Sequence, residues 1–197
     1  MSLRPDLALV AELIPEGSRV LDLGCGSGEL LAELMAEADC RGTGVEIDPP
    51  LVLAAIAAGV PVIELDLDAE LDEFADQSYD VVVLSRTVQT LHRPVEVLHH
   101  MGRIADRLIV SVPNFGYWRH RLRLLRGRMP MSREIPHAWY DTPNLRHTTL
   151  VELEELFDKL GLVVEQRIVL SPAGIPLKSG DRLANIVAGS AVYVLRA

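Results

Sequence analysis

The chain is poor in the features that mark several protein classes. It has two cysteines, Cys25 and Cys40, among 197 residues, too few for a disulfide framework and in keeping with a reducing compartment. It has no apolar run long enough to cross a bilayer. The longest uncharged apolar run, residues 51–63, is interrupted by Gly59 and Pro61, whereas a spanning helix needs about 20 residues. Asp6 and Glu12 fall where a secretory leader would be apolar. Base is in deficit: 28 acids against 19 bases leave a net charge of −9, which disfavours nucleic-acid backbones and anionic membranes as partners. Repeats, low-complexity tracts and Gly/Ser linkers are missing. What remains is an ordinary globular composition, 49% hydrophobic and 24% charged. A single soluble, cytoplasmic domain over residues 1–197 is expected, large enough to bury about 70% of its unfolded surface.

Apolar runs and helical stripes alternate along the chain. Residues 18–23, 43–47, 61–65, 79–84 and 107–112 read as strands, and 6–14, 27–38, 49–58 and 94–104 as helices. Val81-Val82-Val83-Leu84 and Leu108-Ile109-Val110 are continuously apolar, as in strands covered by helices on both faces. Thr149 and Glu152 have capping-box spacing, an apolar stripe follows from Leu150 to Leu160, and Gly161 closes that helix. Residues 162–170 and 191–195 supply two last strands. The expected fold is α/β, a doubly wound, mostly parallel seven-stranded sheet. Residues 113–147 break the alternation. They form an insertion after the fifth strand, far longer than the usual two to six residues, with room for a short basic helix over 117–126.

Ligands of open parallel sheets bind beyond the carboxyl ends of the strands. The first such end reads Asp22-Leu23-Gly24-Cys25-Gly26-Ser27-Gly28. A dinucleotide fingerprint would place its third glycine at Glu29, where a carboxylate would face a pyrophosphate, and no Lys-Ser/Thr pair supports a P-loop. The spacing suits a nucleoside without phosphates. Glu46 ends the second strand and can accept from both ribose hydroxyls. Asp66 ends the third and can take an adenine amino group, with Leu67 beside it. Ser85 ends the fourth. Asp68 reads as a helix cap or an exposed acid. Cys25 reads as a small space-filler beside the ligand and less as a reactive thiol. The bland alternative is that any doubly wound sheet needs tight turns and capping acids. The candidate cofactor-binding set is thus Asp22, Gly24, Cys25, Gly26, Gly28, Glu46, Asp66, Leu67 and Ser85. Together these residues resemble the site of class I S-adenosylmethionine-dependent methyltransferases, which implies S-adenosylmethionine or S-adenosylhomocysteine as ligand.

Signals for catalysis are weak. No base or acceptor motif follows the fourth strand in Leu84-Ser85-Arg86-Thr87-Val88-Gln89, so no catalytic residue is assigned. Arg86 could hold a carboxylate substrate but reads first as an exposed loop arginine. The six histidines lack metal-ligand spacing and read as surface residues; His99 and His100 point about 100° apart on a helix. No metal site is expected.

Residues 115–147 carry seven arginines against two acids. They also hold Phe115, Tyr117, Trp118, Trp139 and Tyr140, more than half of the aromatic residues. Arginine with Trp and Tyr is the composition of interface hot spots. Phe115, Tyr117, Trp118, Arg119, Arg121, Arg123, Trp139 and Tyr140 are therefore candidates for a partner surface. A substrate lid ranks second. An RNA-stacking surface ranks third, because the rest of the chain is strongly acidic.

Here the sequence resembles the methionine-biosynthesis family MetW. The resemblance rests on Pro113-Asn114-Phe115-Gly116-Tyr117-Trp118-Arg119, Gly127-Arg128-Met129-Pro130 and Trp139-Tyr140-Asp141-Thr142-Pro143-Asn144. At the front it includes Leu3-Arg4-Pro5-Asp6-Leu7 and Val20 to Gly26, and it extends from about residue 3 to 168. It implies a class I methyltransferase fold, an adenosyl ligand, and a role as companion of homoserine O-acyltransferase. The second expectation is an active small-molecule methyltransferase with the insertion as its lid.

Overall fold

The computed structural model describes residues 3–178 and 181–197. Seven strands run β1 Arg19–Leu23, β2 Arg41–Glu46, β3 Val62–Glu64, β4 Val81–Ser85, β5 Arg107–Pro113, β6 Val163–Leu170 and β7 Ser190–Arg196. Helices are α1 Pro5–Glu12, α2 Glu29–Glu37, α3 Pro49–Ala57, α4 Pro94–Ile104, α5 Trp118–Leu125, α6 Leu150–Lys159 and α7 Asp181–Val187. Proline opens α1, α3 and α4, where its missing N–H is no loss. The expected capping box is present on α6: Thr149 Oγ1 accepts from the Glu152 amide at 3.3 Å, and Glu152 accepts from the Thr149 amide. Two differences from expectation stand out. β3 is only three residues long, and α7 had no sequence signal.

The sheet order is β3-β2-β1-β4-β5-β7-β6, parallel through β5, with β7 antiparallel to both neighbours. Alternate residues of each strand serve opposite faces. In β4, Val82 and Leu84 join a core with Met101 and Ile104 of α4 and Leu153 and Phe157 of α6. Val81 and Val83 join the other core, with Val10 of α1, Leu30 and Leu34 of α2 and Ala55 of α3. The uninterrupted apolar run of β4 is thus the signature of a strand sandwiched between two helical layers. The order reverses between β1 and β4, and a crevice opens there beyond their carboxyl ends.

The segment between β5 and α6 is tied down at several points. Asn114 is wholly buried; its amide donates to the carbonyls of Asn185 and Ala188 and its Oδ1 accepts from Gly116. Further on, the amides of Leu145 and Arg146 both donate to the Gln89 carbonyl, at 2.8 and 2.9 Å. His120 corrects the surface reading of the histidines. It is 1% exposed, packed against Phe115 and Tyr117, with Nδ1 3.2 Å from the Asn114 carbonyl. Burial lowers its pKa, favouring the neutral ring.

Candidate functional site

The glycine loop leaves β1 through three left-handed residues, Gly24 (φ 75°), Gly26 (φ 58°) and Gly28 (φ 78°), conformations that favour glycine. Their surroundings differ. A Cβ on Gly24 would lie 2.6 Å from Thr87 Oγ1, so glycine lets the β4 loop close down on it. A Cβ on Gly28 would press on Val60 and Ala55 behind the loop. Gly26 faces open space, which leaves room for a ligand against its backbone.

Two carboxylates flank this loop in opposite states. Glu46 braces it: Oε2 accepts from the Gly26 amide at 2.9 Å, and Oε1 accepts from Ile47 and Asp48 at 2.8 and 3.0 Å. A carboxylate has about four acceptor positions, so Glu46 can still take a ligand hydroxyl. Asp22 is 3% exposed and its Oδ1 has no hydrogen-bond partner among the described residues. Desolvation, with the nearby charge of Glu46, pushes its pKa up to about 7. A buried acceptor without a donor is costly unless something supplies one. A ligand ammonium is suited to that task.

Asp22, Gly24, Cys25, Gly26, Glu46 and Ser85 line one cleft of about 390 Å³, together with Arg4, Arg86 and Thr87. Asp66 and Leu67 line an adjoining cleft of about 570 Å³, which shares Gly24 and Glu46 and is bounded by Thr142, Pro143 and Leu145. Gly28 lies behind, as the N-cap of α2. Asp68 is engaged by the amides of His92 and Arg93, at 2.9 and 2.7 Å, and so caps the approach to α4. Cys25 points toward β2, its Sγ in the space that a Cβ on Gly44 would need. Burial and the two nearby carboxylates push its thiol up to about 12, so it fills space and is a poor nucleophile.

Arg86 is not an exposed loop residue. Only partly exposed and at φ 55°, it ion-pairs through Nε with Asp6 at 2.7 Å and through its terminal nitrogen with Glu134. It thereby joins α1, the β4 loop and the β5–α6 segment. Burial raises the Glu134 pKa despite this partner. A triad separated by 80 and 48 positions leaves no local sequence signal.

The arginine–aromatic residues divide by exposure. Trp139, Tyr140 and Trp118 are 71%, 77% and 43% exposed, whereas Tyr117 is 7% exposed. Phe115, partly buried, stacks on His147 at 4.6 Å. Arg119 lies over the Trp118 ring at 5.3 Å. Arg121 and Arg123 donate to the carbonyls of Gly116 and Met129. Among the described residues no group of His, Cys, Asp and Glu could hold a metal, and no helix is long and apolar enough to cross a membrane.

The sheet order with its reversed last strand, and a glycine loop braced by an acid from the second strand, define the chain as a protein of the class I methyltransferase fold. A solved S-adenosylmethionine-dependent methyltransferase from Mesorhizobium loti superposes with a TM-score of 0.72 at 15% identity, covering 98% of each chain. The chain belongs to the MetW family, "Methionine biosynthesis protein MetW", whose profile matches residues 4–195. It is 35% identical over 178 residues, 85% of its length, to the bifunctional methionine biosynthesis protein MetXA/MetW of Rhodopirellula baltica, and spans 29% of that protein. A ubiquinone biosynthesis O-methyltransferase of Aeromonas salmonicida is 28% identical over 156 residues, 75% of this chain and 64% of that one.

Proposed function

We propose that this chain binds S-adenosylmethionine or S-adenosylhomocysteine in the cleft at the β1–β4 crevice and acts as a companion subunit of homoserine O-acyltransferase. The observation that carries the ligand reading is the pairing of an open Gly26 backbone with the unpartnered Asp22 carboxylate. Asp22 would hold the ligand ammonium, Glu46 a ribose hydroxyl, and Asp66 with Leu67 the adenine. The first two roles use acceptors that the protein leaves unfilled.

The companion reading is supported by the MetXA/MetW fusion in Rhodopirellula baltica, which joins a related sequence to a second methionine-biosynthesis protein in one chain. It is also supported by Trp139 and Tyr140, aromatic anchors held out to solvent on a segment tied to the site through Glu134 and Arg86. The engagement of Arg86 by two acids favours this role over methyl transfer. A working small-molecule methyltransferase is the alternative, supported by the O-methyltransferase relatives.

Titration calorimetry with S-adenosylhomocysteine tests the ligand reading. Wild type should bind, and Glu46→Ala, checked for its fold, should bind about 10- to 150-fold more weakly, the loss of charge-assisted hydrogen bonds. Folded wild type that gives no heat with either adenosyl compound would end the proposal. Rapid transfer of a labelled methyl group to a small amine, thiol or carboxylic acid would promote the alternative.

A further inference from the structure

Next to the nucleoside cleft, on the far side of Arg86, lies a smaller cavity of about 220 Å³ whose lining includes Arg4, Asp6, Arg86, Arg133, Glu134 and Ser190. Its charges are segregated. Asp6 and Glu134 are both buried and share the single guanidinium of Arg86. Arg4 and Arg133 reach solvent at the outer side. Arg133 has no hydrogen bond or ion pair among the described residues, and Arg4 has only a loose contact with Asp6 at 3.8 Å.

One buried polar atom in the lining residues is unfilled. Ser190, 4% exposed, has no partner for its Oγ. Asp6 Oδ2, by contrast, is held by Arg86 Nε at 2.7 Å. Native proteins seldom leave an atom such as Ser190 Oγ unsatisfied, and a bound group is one remedy. The volume is below that of cavities for drug-sized ligands. A ligand for this space is small, with an anionic end for the two outer arginines and a cationic end for the inner acids.

We propose that this cavity binds a small free α-amino acid, its carboxylate between Arg4 and Arg133 and its ammonium toward Asp6 and Glu134. A plain carboxylate satisfies only the outer half, and a plain amine only the inner half. The ligand also bridges α1 to the β5–α6 segment, since Asp6 and Glu134 come from those two elements. Arg133, Glu134, Asp6 and Ser190 line neither nucleoside cleft, whereas Arg4 and Arg86 line both this cavity and the nucleoside cleft, so the two sites adjoin and competition tells them apart.

Saturation-transfer NMR on the full chain tests it, with L-alanine, L-homoserine and L-methionine as probes and butyrate and butylamine as single-charge controls. Each is measured with and without saturating S-adenosylhomocysteine. At least one amino acid should bind at least tenfold more tightly than both controls and remain bound beside the nucleoside. Arg133→Gln should weaken it by at least about tenfold, the loss of a charge-assisted contact, with S-adenosylhomocysteine affinity unchanged within twofold. Ser190→Ala should weaken it as well. No binding by any amino acid, butyrate binding as tightly, or insensitivity to both substitutions would overturn the proposal. Complete displacement by S-adenosylhomocysteine would overturn it too, since the cavity would then hold the amino-acid end of the nucleoside ligand. Amino-acid binding by a chain that ignores the nucleoside would sustain this proposal while ending the nucleoside reading.

Discussion

At the scale of single residues, the site rests on how two neighbouring acids are satisfied. Glu46 spends its carboxylate on three backbone amides and so shapes the loop, while Asp22 is buried without a donor. The raised Asp22 pKa carries a stability sign. The folded chain binds the proton more tightly than the unfolded chain, so Asp22 favours folding at low pH. That contribution is lost as pH rises from the usual carboxylate range through about 7. Asp22→Asn removes the penalty of a buried charge. It should therefore raise the unfolding midpoint more at pH 8 than at pH 5, while weakening S-adenosylhomocysteine binding. Calorimetric scans at the two pH values check this, and an equal shift at both would contradict it. Asp22 and Glu46 were legible as strand-end acids because local pattern places them after apolar runs. Arg86 was not, since its role depends on Asp6 and Glu134, which only the folded chain brings to it. His120 escaped for the same reason: its burial comes from Phe115 and Tyr117 closing over it.

Among the elements, β4 and α6 show what local pattern can and cannot determine. The four apolar residues of β4 specify a central strand covered on both faces, and the structure gives each face its own core. Thr149 and Glu152 specify where α6 begins. Thr149→Ala should lower stability by about 1 kcal/mol, the usual value of an N-cap. Urea unfolding should show this as a lower midpoint at unchanged slope. The short helix α7 was illegible, because seven residues carry too few turns for a periodic stripe. Its contribution is tertiary: Asn185 and Ala188 supply the carbonyls that hold Asn114, and Asn185 Oδ1 accepts from the Leu150 amide at 3.1 Å. The antiparallel placement of β7 was likewise unmarked, since its apolar run is as continuous as those of the parallel strands.

For the whole molecule, charge and exposure are distributed unevenly. A chain of net charge −9 concentrates seven arginines and three exposed aromatic residues in the segment that borders the nucleoside cleft through Thr142 and Pro143. Truncating a central aromatic anchor commonly costs about 2 kcal/mol or more at an interface. Trp139→Ala, 71% exposed and making no core contact, should thus weaken binding to the acyltransferase by at least about 30-fold while the fold survives. Surface-plasmon kinetics should place most of the loss in the off-rate. If Trp139→Ala and Trp118→Ala both bind as tightly as wild type, the segment is a lid and the partner docks elsewhere. The companion role itself is tested most directly by purifying homoserine O-acyltransferase from the native host with and without this chain and measuring acyl transfer. The account predicts that the two proteins co-elute and that acyl transfer falls when this chain is left out. An acyltransferase that elutes alone and works equally well without it would contradict the account.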